Sequence, residues 1–144
     1  MKLATTEDIR AAARRFYEVL TRALQTGDLA LLAQVVAADA VDHNPVPGMK
    51  PGLEGITDAF TGFRDIFGDA AFAVEDVIAD GDKAACRLRV TAIHRGTYRG
   101  VAPTGRQVSW TVIDLLRFAG GKMTERWGAA DDVALLRQLD AAPA

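Results

Sequence analysis

Apolar residues recur at three- and four-residue steps at the start of the chain. Ile9, Ala13, Phe16, Leu20 and Leu24 share one side of a helix whose other side carries Arg10, Arg14, Arg15, Glu18 and Arg22. Thr5 or Thr6, with Glu7 and Asp8 behind it, supplies a capping hydroxyl and an acidic first turn, and Gly27 supplies the stop. Leu29, Leu32, Val35 and Val36 predict a shorter second helix from Asp28 to near Asp39. Pro45, Pro47, Gly48, Pro51 and Gly52 then mark a loop, since proline lacks an amide donor and disfavours helix at the residue before it. A third helix carries Ile56, Phe60, Phe63 and Phe67. Beyond Gly68 the period moves towards two. It predicts strands over 72–79, 83–94, 106–118 and 122–129, with tight turns at Asp80-Gly81-Asp82 and Ala119-Gly120-Gly121, and a closing helix over 131–139. Three helices followed by antiparallel strands is an α+β layout in which helices cover one face of a curved sheet and enclose a pocket.

Composition narrows what such a pocket does. The 144 residues read as one domain spanning 1–144, without repeats or low-complexity tracts, and 49% hydrophobic with 25% charged residues is ordinary for a globular chain. A formal charge of -2, with Lys and Arg spread along the sequence, leaves no basic stripe for nucleic acid. No apolar run reaches membrane-spanning length, so no membrane association and a cytoplasmic location are expected. Cys86 lies in the strand-like string Ala84-Ala85-Cys86-Arg87-Leu88 and reads as a small buried hydrophobe in a reducing compartment. His43 and His94 are too far apart in sequence to give a metal-ligand spacing, and Gly48, Gly52 and Gly55 lack the strand-to-helix context of a phosphate loop. Neither a metal nor a cofactor is expected; the chemistry falls to side chains.

Several strings together resemble the SnoaL-like polyketide cyclases of the nuclear-transport-factor-2-like superfamily. They are Gly27-Asp28, Val41-Asp42-His43-Asn44-Pro45 with the Pro/Gly loop behind it, Pro103-Thr104-Gly105-Arg106, Ile113-Asp114, and Glu125-x-Trp127 followed by Asp131 and Leu135-Leu136-Arg137-Gln138-Leu139. The resemblance implies a cone-shaped α+β fold, an intramolecular aldol closure of a small hydrophobic carbonyl compound, and a homodimer or higher homo-oligomer built through the outer face of the sheet. It implies Asp131 as catalytic acid/base, with histidines near it. One of those matches His43; the other matches Arg117, whose guanidinium binds oxyanions but does not exchange protons near neutral pH. Limonene-epoxide-hydrolase relatives, which use carboxylates and an arginine to activate water, suggest a second enzymatic reading from Asp114, Arg117 and Asp131. A non-catalytic ligand-binding module is the third.

Each candidate also has a plain structural reading. Asp131 follows an apolar string that would raise its pKa, yet Asp131 or Asp132 equally suits the N-cap of the last helix. His43 either shuttles protons or bonds to its own loop. Asn44 stands where the ketosteroid isomerase branch carries an aspartate base, and an amide cannot remove a proton, so it is a substrate-binding candidate. His94 and Asp114 lie on strands of uncertain facing. Asp114 shares parity with Trp110, Val112 and Leu116, whereas Arg117 shares it with Ile113 and Leu115; the resemblance favours Arg117 inside. Trp110, Phe63 and Tyr17 are aromatic wall or core residues, and Trp127 is a candidate flat surface for a planar ring.

Overall fold

The computed structural model describes residues 4–140. Helix α1 (Thr6–Thr26) is closed at its start by a capping box, in which Thr5 and Asp8 each accept the other's backbone amide at 2.9–3.0 Å, and it ends on Gly27 at φ 81°. Its apolar stripe, from Ile9 to Leu24, is buried.

The next segment departs from the sequence expectation. Residues Leu29–Gln34 form only a short 3-10 helix, and the chain then extends as β1 (Val36–Asp42). Periodicity had joined Val35 and Val36 to a helix, but in the fold Val36 and Ala40 turn into the core from a strand. What overrides the local pattern is an available sheet edge. After α2 (Gly52–Ile66) come β2 (Phe67–Asp80), β3 (Lys83–His94), β4 (Gln107–Ala119) and β5 (Lys122–Ala130), and β1 pairs in parallel with β5. The sheet order is β1-β5-β4-β3-β2, with every pair antiparallel except the first. Register shifts in β1, β2 and at the start of β5 help curve this unclosed, five-stranded sheet. Helix α3 (Asp132–Asp140) follows β5 directly.

Alternation along β4 decides which residues meet the helices. Val108, Trp110, Val112, Asp114, Leu116 and Phe118 point inward and are buried, while Ile113 and Leu115 are exposed on the outer face. Helices α1 and α2 cover the inner face.

Glycine permits the tight turn by which the chain enters α2. A Cβ on Gly55 would run into the Lys50 carbonyl, whereas one on Gly62, in the same helix, would meet open space. Gly55→Ala is therefore expected to destabilise the fold by about 1–3 kcal/mol through overpacking. Gly62→Ala is expected to stabilise it by roughly 0.5–1 kcal/mol through helix propensity. Urea unfolding midpoints of the two variants, moving in opposite directions, check the packing.

Candidate functional site

Between the inner face of the sheet and helices α1 and α2 lies a cavity of about 700 Å³. That volume falls within the range common for small-molecule sites, about 300–1,000 Å³. One part of its wall is a cluster of aromatic rings. Phe63 is 5.0 Å from Phe67 and 5.9 Å from Phe72, ring centre to ring centre, and Phe67 lies 5.0 Å from Trp110. Phe60 extends this surface from α2.

Against these rings stands a polar cluster assembled from four elements. The Tyr17 hydroxyl, from α1, donates to Asp114 Oδ2 at 2.6 Å. Arg126 of β5 donates to Asp114 Oδ1 through Nε at 3.1 Å and Nη2 at 3.0 Å. Its Nη1 donates to both oxygens of Asp42, from β1, at 3.0 and 3.1 Å. The pairing explains this convergence. Asp42 and Arg126 are register partners in the parallel β1–β5 ladder, and Asp114 is opposite Gly128 in β4–β5. Arg126 and Gly128 share the inward face, and a Cβ on Gly128 would collide with both Asp114 Oδ1 and the Arg126 guanidinium. Gly128 is the space in which the ion pair lies.

Burial sets the electrostatics. Asp114 is 4% exposed, and desolvation raises its pKa above the usual carboxylate value despite the opposing pull of Arg126 and Tyr17. Tyr17 is pushed well above the ordinary phenol value, first by burial and then by the Asp114 charge. For Arg126 burial works against the charge, but Asp114 and Asp42 outweigh it and the guanidinium is held cationic. The Cys86 thiol is pushed up to about 12, chiefly by burial, which leaves it protonated and a poor nucleophile.

Of the residues singled out from sequence, Tyr17, Asn44, Phe63, Trp110 and Asp114 line the cavity. Asn44 Oδ1 accepts the Gly128 amide at 2.9 Å, an assignment that leaves its NH2 group as a donor at the mouth. The other five lie elsewhere. Asp131 is exposed and caps α3, its Oδ1 accepting the Ala134 amide at 3.1 Å, so the plain reading describes its contacts. Arg117 is outside the cavity: on the outer face its Nε donates to Glu125 at 2.9 Å and its Nη1 to Asp82 at 2.9 Å. His43 shares that face, donating from Nε2 to Glu125 Oε2 at 2.8 Å and stacking on Trp127 at 4.5 Å. Arg117, His43 and Trp127 thus lie off the cavity, on the face that Glu125 and Trp127 share while Arg126, Gly128 and Ala130 take the inward positions of β5. His94 is fully buried beside Phe67, its Nδ1 accepting the Thr104 amide at 3.1 Å, but it does not line the cavity.

Sequence reasoning did not single out Asp42, Arg126 and Gly128. Asp42 and Arg126 sit inside quoted strings, Arg126 as the x of Glu125-x-Trp127, and Gly128 directly follows the second; each adjoins a residue that was chosen. Among the described residues no group of three or more His, Cys, Asp or Glu is arranged to hold a metal ion, and no helix is long and apolar enough to cross a membrane.

The SnoaL-like polyketide cyclase family model matches residues 11–139. No functionally curated protein matches the chain at a significant level. Among solved structures, it is similar to TsrD from Streptomyces laurentii at 26% identity, covering 92% of this chain and 97% of that one, with a TM-score of 0.80. IdmH from Streptomyces antibioticus, a candidate polyketide cyclase by its description, is 30% identical over 95% of this chain and 99% of its own, with a TM-score of 0.74. AclR from Streptomyces galilaeus, described as a candidate hydroxylase, is 28% identical over 97% of this chain and 85% of its own, with a TM-score of 0.76.

The raised Asp114 value carries a pH signature of stability. The folded state holds this proton more tightly than the unfolded chain, where the carboxyl titrates near about 4. The stability it contributes is complete below that value and is lost as pH rises through the raised folded value. Measured by urea unfolding, wild type should therefore lose stability relative to Asp114→Asn as pH climbs from about 4, and the difference should then level off. A difference that grows in favour of wild type with pH would place the folded value below the unfolded one.

Proposed function

The chain belongs to the SnoaL-like polyketide cyclase family, and on that premise we propose that it is a cofactor-independent enzyme for aldol-type closure of a small hydrophobic, carbonyl-bearing ring compound. The observation that carries this reading is the Asp114 carboxylate, desolvated and bonded by Tyr17 and Arg126 at an aromatic cavity. Asp114 is the acid/base in this scheme, in place of Asp131. It takes a proton alpha to a carbonyl. The enolate adds to a second carbonyl carbon of the same molecule, and the new alkoxide recovers the proton from Asp114. As the proton moves, negative charge passes from Asp114 to the substrate beside Arg126, so the total charge in the cavity is unchanged. The free NH2 of Asn44 supplies a donor to a substrate oxygen at the mouth. A positioned base of this kind contributes about 10²–10⁴-fold in rate.

A second reading, opening of an epoxide by an activated water whose proton passes to a carboxylate, is favoured by the carboxylate–guanidinium–carboxylate chain Asp42–Arg126–Asp114. This set differs from Asp114, Arg117 and Asp131, since two of those three lie away from the cavity.

We also propose that the outer face of the sheet joins two copies of the chain. Register aligns Ile78, Ala85, Leu115 and Trp127 as an apolar row across four strands. Beside it runs a row carrying both signs of charge, Asp80, Lys83, Arg117 and Glu125. Mixed signs beside an apolar row suit a self-complementary two-fold contact. Sedimentation at tens of micromolar should show a dimer for wild type and a monomer for Leu115→Glu; a wild-type monomer removes the proposal.

Proton abstraction is measurable without the natural substrate, as deuterium exchange alpha to the carbonyl of acetylnaphthalene followed by NMR. Asp114→Asn should slow the enzyme-dependent exchange by about 100-fold or more with ring affinity retained. Asp131→Asn should stay near wild type, since Asn caps a helix about as well as Asp. The reverse pattern returns the role to Asp131. For closure itself, a product of the same mass as a matched substrate supports the aldol reading, and a product heavier by one water supports the hydrolytic reading instead.

A further inference from the structure

We propose that the cavity selects planar aromatic ligands whose ionisable group is a cation and rejects the same ring when it carries a carboxylate. This rests on reading the cavity as the ligand site. Its ionisable lining holds four carboxylates, Asp42, Asp58, Asp114 and Asp132, against two guanidiniums, Arg99 and Arg126.

Both guanidiniums are already engaged. Arg126 commits Nε and Nη2 to Asp114 and Nη1 to Asp42, so all three nitrogens face protein carboxylates. Arg99 stands at the mouth, on a tight turn where Tyr98 and Val101 exchange two backbone hydrogen bonds. Its φ of 47° is unusual for a non-glycine residue, and its Nη2 donates to Asp132 at 3.1 Å. Asp58 is exposed and makes no ion pair within 4 Å among the described residues; the Lys50 ammonium feels its charge, but that cation already bonds Glu54 and does not line the cavity.

An entering carboxylate would thus lose water without gaining a guanidinium, and would meet surplus carboxylates at the cluster and the rim. An ammonium meets the opposite conditions. Asp58 and the excess negative charge of the cluster attract it, and the faces of Phe63, Phe67, Phe72 and Trp110 offer cation–π contact. The neutral ring falls between the two, since it packs on the aromatic wall as the others do but has neither the charge attraction nor the charge penalty.

The test is calorimetric titration of the full chain at low salt, near pH 7.5, with naphthylmethylamine, naphthylmethanol and naphthoate. The expected order of affinity is amine, alcohol, acid, with about tenfold or more between first and last. Asp132→Asn frees Arg99 and should raise naphthoate affinity relative to the amine at least about threefold. Asp58→Asn should weaken the amine alone. Naphthoate binding as tightly as the amine, or an unchanged ratio in Asp132→Asn, overturns the inference. Equal binding of all three rings overturns charge selection but leaves the Asp114 reading standing, because deuterium exchange decides that separately. If none binds, the cavity is not an aromatic site and both fail.

Discussion

Arg126 is a cation enclosed by the fold, and much of the architecture can be traced to the need to neutralise it. Its guanidinium draws Asp42 from β1 and Asp114 from β4, and through Asp114 it reaches Tyr17 on α1. Four elements distant in sequence are tied at one point. Removing one partner of such a buried pair typically costs about 3–5 kcal/mol, because the other charge is left uncompensated. The same demand fits Gly128, where a side chain would collide with the guanidinium and with Asp114. It also fits the placement of β1, because the parallel ladder brings Asp42 level with Arg126. A polar cluster set against aromatic rings follows from folding one arginine inward.

The two faces of β4 and β5 carry networks of similar composition and different consequence. Outside, His43, Glu125, Arg117 and Asp82 form a chain of ion pairs open to water, where such contacts are worth little individually. Inside, Tyr17 and Asp114 are buried while Arg126 and Asp42 are partly so, and in this chain, largely withdrawn from water, each charge is felt more strongly and a proton changes the balance of the group. A single step along the strand separates Glu125 from Arg126. That step divides a surface feature from the candidate chemistry.

It also marks the limit of what the sequence discloses. The amphipathic period of α1, the Pro/Gly loop and the four alternating strands were legible because burial of one face leaves a direct trace in residue order. Segment 28–42 was not, since Leu29, Leu32, Val35 and Val36 satisfy a helical period and only the free edge of β5 makes the later part a strand. Within β4 the two parity sets were visible, and family resemblance chose Arg117. Three apolar partners, Trp110, Val112 and Leu116, argued for Asp114, but Ile113 and Leu115 opposed them, and alternation alone cannot rank two apolar sets. In β5 the string Glu125-Arg126-Trp127 fixed the position of the strand without its rotation. Asp131 was legible as the end of that strand, and its cap geometry was the alternative reading already open to it.

The same contacts govern where the proton of the cluster resides. Burial raises both Tyr17 and Asp114, so the hydroxyl keeps its proton and the carboxyl accepts one more readily than an exposed aspartate. Arg126 opposes that acceptance, and Asp42 moderates the opposition by occupying the far side of the guanidinium. Asp42 therefore adjusts the strength of the base without touching it. The adjustment also depends on water, since a low dielectric strengthens the desolvation that raises Asp114 and the attraction that lowers it. A ring seated against Phe63 and Trp110 displaces that water from one side, and the Arg99–Asp132 bridge bounds the mouth on another. Ligand occupancy and base strength are thus coupled through the same surface.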